Sequence, residues 1–243
     1  MQFDVRSNIR EVSRWLTDAE RKQVPFATVL ALTMTAKDIK AEEIVTMRRV
    51  FDRPTPYTIN ALQATPARKS SPIASVEFKQ GATSRTDAKR FLNPEVHGGT
   101  RSRKSSERQI SPLIKSNNRF AMPGKDMPKD AYGNMTGGTF RKIISQLKVS
   151  RDATANASNS KKSKRKRKAS AYFVKGNIVY ERKGKGIKPA LVFTSAPQYR
   201  QRFPFYAVAE RVMATRFNAN FDTAFQRAMA NSHYKSAKGG KWR

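Results

Sequence analysis

The chain has 243 residues, of which 49 are Lys or Arg and 18 are Asp or Glu, so its formal net charge is +31. Such a charge raises self-repulsion in the compact state and predicts an anionic partner, either a nucleic acid or an acidic protein surface; a merely solvated cationic surface is the alternative. The absence of Cys excludes disulfides, thiol catalysis and Cys-ligated zinc, and no apolar run approaches the roughly 18–20 residues of a membrane span.

Residues 1–62 have the pattern of an N-terminal helical region. Ser7 is expected to cap a first helix, and Pro25 suits the first turn of a second helix, which Pro54 would end. The first residues lack the basic and apolar segments of a signal peptide, which predicts an intracellular origin. The side chains expected to share one apolar face, as core or as a seam between subunits, are Phe26, Val29, Leu30, Thr33, Ile44, Val45 and Phe51.

Residues 63–149 form a mixed region with long Pro/Gly-rich loops. Apolar and polar residues alternate over 73–78, which predicts a strand with one apolar face, and 140–147 has the pattern of a helix. Between them, Gly98-Gly99 permits a sharp backbone reversal. The basic residues after this reversal, expected to be exposed and to face a partner or phosphates, are Arg101, Arg103 and Lys104.

Residues 150–170 form a basic insertion of low complexity, with no apolar periodicity, which predicts a mobile loop. By itself its cationic run resembles a nuclear import signal, but a loop that reaches into a nucleic-acid groove or between subunits is favoured. A merely solvated loop stays open as an alternative. The candidate binding residues in this run are Lys161, Lys162, Lys164, Arg165, Lys166, Arg167 and Lys168.

Residues 171–243 are predicted to form a β-hairpin, a further strand and a long C-terminal helix. Two apolar runs flank Gly176-Asn177, which is typical of a two-residue hairpin turn. A helix is expected to begin at Pro204, and its phenylalanines Phe217, Phe221 and Phe225 are expected to be buried. This region and residues 1–149 are expected to form one domain. Its class would be α+β, with long N- and C-terminal helices packed on a small antiparallel sheet.

No arrangement of residues typical of catalysis is present. His97 and His233 are isolated, the carboxylates are scattered, and the glycines and lysines of 183–186 lack the spacing of a P-loop. The sequence therefore predicts a non-enzymatic protein without metal or cofactor.

Two segments resemble signatures of a group of tailed-phage virion proteins. These are Phe51-Asp-Arg-Pro-Thr-Pro-Tyr-Thr-Ile-Asn-Ala-Leu62 and Phe91-Leu-Asn-Pro-Glu-Val-His-Gly-Gly-Thr-Arg-Ser-Arg103. The overall plan is similar to that of the lambda minor tail protein Z family of tail-completion proteins. In that family a helical pair precedes a basic middle region, a short sheet and a last helix that opens on a step like Arg202-Phe203-Pro204. The cationic run of 161–168 departs from the family pattern.

The resemblance implies a structural virion protein, made in the host cytoplasm, at the head–tail neck or the top of the tail. Its expected partners are further copies in a ring, other neck, portal or tail proteins, and double-stranded DNA, with no membrane. The second interpretation is a basic genome-associated virion protein that binds DNA without sequence preference. A third is a cellular RNA-binding or ribosome-associated protein, which fits the charge but not the two segments.

Overall fold

The computed structural model describes residues 2–5, 18–81 and 87–239, with side chains described over 23–81 and 87–231. It is an α+β structure whose described residues include seven α-helices and small antiparallel sheets, with a long helix near each end of the chain. The chain divides into two compact units. The first combines 1–82, 87–89 and 202–243, and the second combines 83–86 and 90–201.

The first unit contains a three-stranded antiparallel sheet and two long helices. Its strands are β1 (Gln2–Val5), β2 (Leu62–Thr65) and β3 (Ala74–Phe78), in the order β1-β3-β2. Its helices are α1 (Asp18–Val50), the short α2 (Pro56–Ile59) and the C-terminal α7 (Phe205–Gly239).

The strand predicted over 73–78 is confirmed as β3, in which the apolar residues Ala74, Val76 and Phe78 alternate with the polar residues Ser75 and Glu77. Four of its five residues are buried, with only Glu77 partly exposed. Helix α1 packs against β2 and β3, and β1 and β2 cover the two edges of β3, which together favour this burial.

Helix α1 is a single helix in which Pro25 is internal, so the prediction that a separate helix begins at Pro25 is wrong. A proline inside a helix forfeits one backbone hydrogen bond, and the extended packing of α1 against α7 offsets that cost. The helix predicted from Ser7 lies mostly outside the described residues. As expected, α1 ends before Pro54.

The buried face of α1 differs from the predicted apolar stripe. Val45 and Phe26 are exposed, whereas alanines, threonines and Glu43 lie in the interior beside four larger apolar residues. Ala27 and Ala31 of α1 pack against Ala224 and Ala228 of α7, so the two helix backbones approach closely. The fully buried or nearly buried residues of α1 are Val24, Ala27, Thr28, Ala31, Leu32, Thr35, Ala36, Ile39, Glu43, Thr46 and Met47.

The phenylalanines of α7 flank this alanine contact and are only partly buried, so the prediction that they are buried is wrong. Phe217, Phe221 and Phe225 form a row in which successive ring centroids are 6.3 and 6.1 Å apart. Two helices that meet through alanines leave larger neighbouring side chains at the edge of the contact rather than inside it.

The second unit is built on a four-stranded antiparallel sheet of order β4-β7-β6-β5. Its strands are β4 (Phe120–Pro123), β5 (Ala171–Lys175), β6 (Ile178–Lys183) and β7 (Gly186–Thr194). Its helices are α4 (Ser105–Ile110), α5 (Gly137–Gln146) and α6 (Lys161–Ala169), with most of α3 (Lys89–His97). The predicted hairpin is confirmed, since Lys175 pairs with Ile178 across Gly176-Asn177.

One hydrophobic core lies between this sheet and the helices. Its buried members include Ile110 from α4, Ile143 from α5, and Val179, Leu191 and Phe193 from the sheet. No described helix is both long enough and apolar enough to cross a lipid bilayer.

Candidate anion-binding site

The cationic run of 161–168 is helical, so the predicted mobile loop is corrected to helix α6. Ser160 caps the helix, its hydroxyl accepting a hydrogen bond from the backbone N–H of Ser163 at 3.3 Å. Its last turn carries Lys166, Arg167 and Lys168, where the negative end of the helix dipole favours cations. The helix contains no large apolar side chain, so the sequence offered no hydrophobic periodicity from which to predict it.

Gln146, the last residue of α5, attaches the end of α6 to the sheet. Its side-chain nitrogen donates to the carbonyl of Ser170 at 2.9 Å, and its side-chain oxygen accepts from the backbone N–H of Tyr172 at 3.0 Å. Both hydrogen bonds involve backbone groups at the junction of α6 and β5. The position of α6 is therefore set by two bonds from α5 as well as by its own connections.

Glu181 anchors the same junction from β6. Its Oε1 accepts hydrogen bonds from the hydroxyls of Ser170 at 2.6 Å and Tyr172 at 3.0 Å, and Lys188 lies 3.5 Å from its Oε2. Burial alone would raise the pKa of Glu181, but these hydroxyls and the Lys188 ammonium outweigh it and lower the pKa. Burial, with the charge of Glu181, raises the pKa of Tyr172 to about 12.

Helices α5 and α6, with the loop between them, enclose a cleft of about 1170 Å³. The loop is fixed to α5 because the Ser145 hydroxyl donates to the carbonyl of Ala155 at 2.6 Å and the Ser145 carbonyl accepts from Ala157 at 2.9 Å. One carboxylate, that of Asp152, lines the cleft. The cations that line it are Arg141, Lys142, Arg151, Lys162, Lys166 and Arg167.

The charge of this cleft is not neutralised within the part of the chain that the structure describes. Asp152 accepts hydrogen bonds from the backbone and hydroxyl of Thr154, at 2.9 and 2.6 Å, and no ion pair joins it to a cleft cation. Lys142 lies 5.6 Å from the centre of the Tyr172 ring. Several like charges around one concave space create a positive potential that an anionic ligand would relieve.

A second group of cations lies at the tip of the β6–β7 hairpin. Arg182, Lys183 and Lys185 are exposed there. Ala171, which follows the end of α6, pairs with Arg182 near the end of β6. The hairpin tip therefore lies at the end of the sheet where α6 joins β5. The hairpin tip and the C-terminal turn of α6 therefore contribute to one basic edge of the second unit.

Arg101 is not an exposed cation, contrary to the expectation from the sequence. Its guanidinium is bidentate to Glu107, with Nη1 at 2.9 Å from Oε2, and its side chain is only 12 % exposed. Its charged group also lies 5.0 Å from the centre of the Phe120 ring. Arg101 therefore stabilises the loop before α4 instead of presenting charge to a partner.

Glu107 joins this loop to the sheet. It is 1 % exposed, and its Oε1 accepts from the backbone N–H of Ala121 in β4 at 3.0 Å. Burial would raise the pKa of Glu107, but Arg101 and the N–H groups of Ala121 and Lys104 outweigh it and lower the pKa.

The other two basic residues of this segment are Arg103 and Lys104. Arg103 is half-buried and Lys104 is exposed, so both stay candidates for partner contact. The predicted backbone reversal before them is present, with φ of +77° at Gly98 and +86° at Gly99.

The sequence pattern did not indicate the hairpin tip or the cleft residues contributed by α5 and the loop, namely Arg141, Lys142 and Arg151. The 183–186 segment, which lacks the spacing of a P-loop, carries two lysines. Its position at the turn between two predicted strands was a usable signal. The α5 cations gave no such signal, because only tertiary structure brings them opposite α6.

Among the described residues, no three His, Asp or Glu side chains are grouped so that they could hold a metal ion. Comparison of the chain with protein-family models, curated proteins and solved structures gave no match.

Proposed function

We propose that this protein is a non-enzymatic structural component of a tailed-phage virion that binds duplex DNA through the basic edge of its second unit. Its station would be the head–tail neck or the top of the tail, in a ring that completes or joins the tail around the DNA channel. The virion assignment rests on the resemblance of residues 51–62 and 91–103 to virion-protein signatures. The described α+β fold, with a long helix near each end, agrees with the plan that this resemblance implies.

The observation that carries DNA binding is the concentration, at one edge of the second unit, of cations that form no ion pair with any residue that the structure describes. The outer side chains of α6, including Lys161, Lys164 and Lys168, and the hairpin-tip residue Lys183 are all exposed. Cations arranged in this way neutralise phosphates and release condensed counterions, which gives affinity without reading base sequence.

Titration of the purified chain with duplex DNA at several salt concentrations tests the binding. If about six to ten phosphates are engaged, affinity should fall by roughly 10³–10⁵ between low and moderate salt, equally for unrelated sequences. Replacing Lys161, Lys164 and Lys168 by Ser should lower the affinity and the salt slope. Binding that is independent of salt, or selective for one sequence, would contradict the proposal.

A reconstruction of the virion tests the station. Density for this chain confined to the neck or tail top, in a small fixed copy number, would support the proposal. Copies distributed through the packaged genome would instead support the genome-associated protein. Absence from virions together with selective RNA binding would support the cellular RNA-binding protein.

A further inference from the structure

Helix α6 presents cations in two directions, and only one of these sets faces the cleft. Lys162, Lys166 and Arg167 line the cleft together with Ser163, as residues three and four apart on a helix share a face. The other cations of α6 lie outside the cleft lining. These are Lys161, Lys164, Arg165 and Lys168.

The dimensions of the cleft do not suit a DNA duplex. Its volume of about 1170 Å³ is slightly above the roughly 300–1,000 Å³ of pockets that enclose drug-sized ligands. A duplex instead offers an α-helix a major groove about 12 Å wide, so it would contact the outer surface of α6 rather than enter a space walled by α5 and α6. A ligand that binds inside the cleft must therefore be an anion narrower than a DNA duplex.

The lining also argues against a single nucleic-acid strand. Non-specific single-strand sites combine cations with aromatic rings on which bases stack, and none of the described residues that line this cleft is aromatic. Its uncharged wall includes Ile144 and the methyl groups of Ala155, Ala157 and Ala169. With the methylene stems of Lys and Arg, these provide apolar contacts for side-chain carbon atoms.

We propose that this cleft binds an acidic polypeptide segment of a partner protein, while the outer cations of α6 bind DNA. Arginine guanidinium groups bind carboxylates in bidentate geometry, and the lysines add charge-assisted hydrogen bonds. One short helix thus serves two anionic partners on opposite sides. The cleft assignment is independent of the proposed virion function, and only the assignment of the outer cations rests on it.

The test compares two charge-reversal variants of the full chain, each with three changes on α6. The cleft variant is K162E/K166E/R167E, and the outer variant is K161E/K164E/K168E. The probes are a fluorescent oligo-glutamate peptide, a duplex DNA and an oligo-dT strand. The cleft variant should weaken peptide binding by about tenfold or more, whereas the outer variant should change it by less than about threefold; a tenfold change corresponds to 1.4 kcal/mol.

Lysine acetylation, read by mass spectrometry, locates each probe on the unmodified chain. The peptide should protect Lys142, Lys162 and Lys166, and the DNA duplex should protect Lys161, Lys164 and Lys168. All six are exposed in the free chain, so each can report. If either reversal variant fails to fold by circular dichroism, the same triplets changed to Ser replace it.

The outcomes separate this inference from the proposed function. Equal weakening of peptide binding by both variants, or peptide protection of the outer lysines, would overturn the cleft assignment. Oligo-dT that displaces the peptide and protects the cleft lysines would show a nucleic-acid cleft instead. Loss of duplex binding alone, with the peptide pattern intact, would refute the proposed DNA binding and leave the cleft proposal standing.

Discussion

At the scale of single residues, Glu43 is the least expected feature of the structure. It lies on α1 with its side chain fully buried, and neither carboxylate oxygen has a hydrogen-bond partner among the described residues. The hydroxyl of Thr46, one turn further on, is also buried, and no described residue forms a hydrogen bond with it. Burial, and secondarily the charge of Glu42, raises the pKa of Glu43 to about 9, although Arg211 acts in the opposite direction.

We expect Glu43→Leu to stabilise the protein, because it removes a buried polar group whose burial without a partner costs about 1–3 kcal/mol. The increase in the free energy of unfolding caused by Glu43→Leu should become larger as pH rises. Between the ordinary pKa of 4.5 and the folded-state value of about 9, the native state keeps a proton that the unfolded state has lost. Native stability therefore falls as pH rises through this interval, by at most about 1.4 kcal/mol per pH unit for this group, and levels off above it.

Urea unfolding near pH 5 and near pH 8 measures this effect. Glu42→Gln is the matched control, since Glu42 is partly exposed and pairs with Arg211 at 2.9 Å. A change within about 0.5 kcal/mol at both pH values is expected for this exposed pair. If Glu43→Leu instead destabilises the protein at both pH values, the Glu43 carboxyl group forms a stabilising hydrogen bond or ion pair in solution, and this account of Glu43 is wrong.

Also at the residue scale, removing one charge of the Arg101–Glu107 pair should destabilise the protein, whereas Glu43→Leu should stabilise it. Glu107→Gln leaves a largely buried guanidinium without its counter-charge, and removing one partner of a buried pair costs about 3–5 kcal/mol. Arg101→Glu should cost at least as much, because it places two carboxylates together.

Thermal unfolding measures these variants, with Arg108→Gln as the control on the same helix. Arg108 is exposed, and we expect its replacement to change stability by no more than about 0.5 kcal/mol. An Arg101→Glu variant as stable as the wild type would show that this loop is not held by the ion pair.

At the scale of elements, the contact between α1 and α7 depends on small residues. Ala224 is fully buried against the alanines of α1, whereas Phe221 is only partly buried. We expect Ala224→Leu to force the helices apart and to cost about 1–3 kcal/mol. Phe221→Ala should cost less than the roughly 3–5 kcal/mol of a fully buried phenylalanine.

Chemical denaturation of both variants provides the measurement, with Ala214→Leu as the control. Ala214 is exposed on the same helix, and Ala and Leu have similar helix propensities, so we expect little change there. A larger loss for Phe221→Ala than for Ala224→Leu would contradict the account of the helix pair.

The sequence predicted those elements whose signals are local. The hairpin around Gly176-Asn177 and the helix after Pro204 were predicted, because a turn dipeptide and a helical period each lie within one short window. The buried face of α1 was not, since Ala, Thr and Glu43 share its interior with a few large apolar residues, while Phe26 and Val45 are exposed. Helix α6 was missed for a related reason: a cationic stretch has no apolar period.

The candidate site was predictable only in part. Its cations on α6 stood out by composition, and three of them line the cleft. Arg101 could not be distinguished from Arg103 by sequence, because only the folded loop brings Glu107 against its guanidinium. The α5 wall of the cleft could not be predicted, because it depends on tertiary contacts. Among these are the hydrogen bonds of Gln146 with Ser170 and Tyr172, which lie 24 and 26 residues further along the chain.

At the scale of the whole molecule, the positive charge is concentrated in one unit. Residues 90–201 carry 26 Lys or Arg and six Asp or Glu, so this range accounts for +20 of the total of +31. The long helices contribute little, since α1 has six basic and five acidic residues. The field that attracts a polyanion is therefore strongest at the second unit.

This asymmetry predicts that the position of a cation, and not only the net charge, sets its effect on DNA binding. Changing Arg182, Lys183 and Lys185 at the hairpin tip to Ser should reduce the slope of log affinity against log salt by up to about 2.7, roughly 0.9 for each lost phosphate contact. The matched variant changes the exposed Arg48, Arg49 and Arg216 of the first unit to Ser, with the same loss of net charge. Its slope should stay close to that of the wild type. Equal reductions in the two variants, measured by fluorescence anisotropy on one duplex, would mean that DNA responds to the overall charge and not to the basic edge of the second unit.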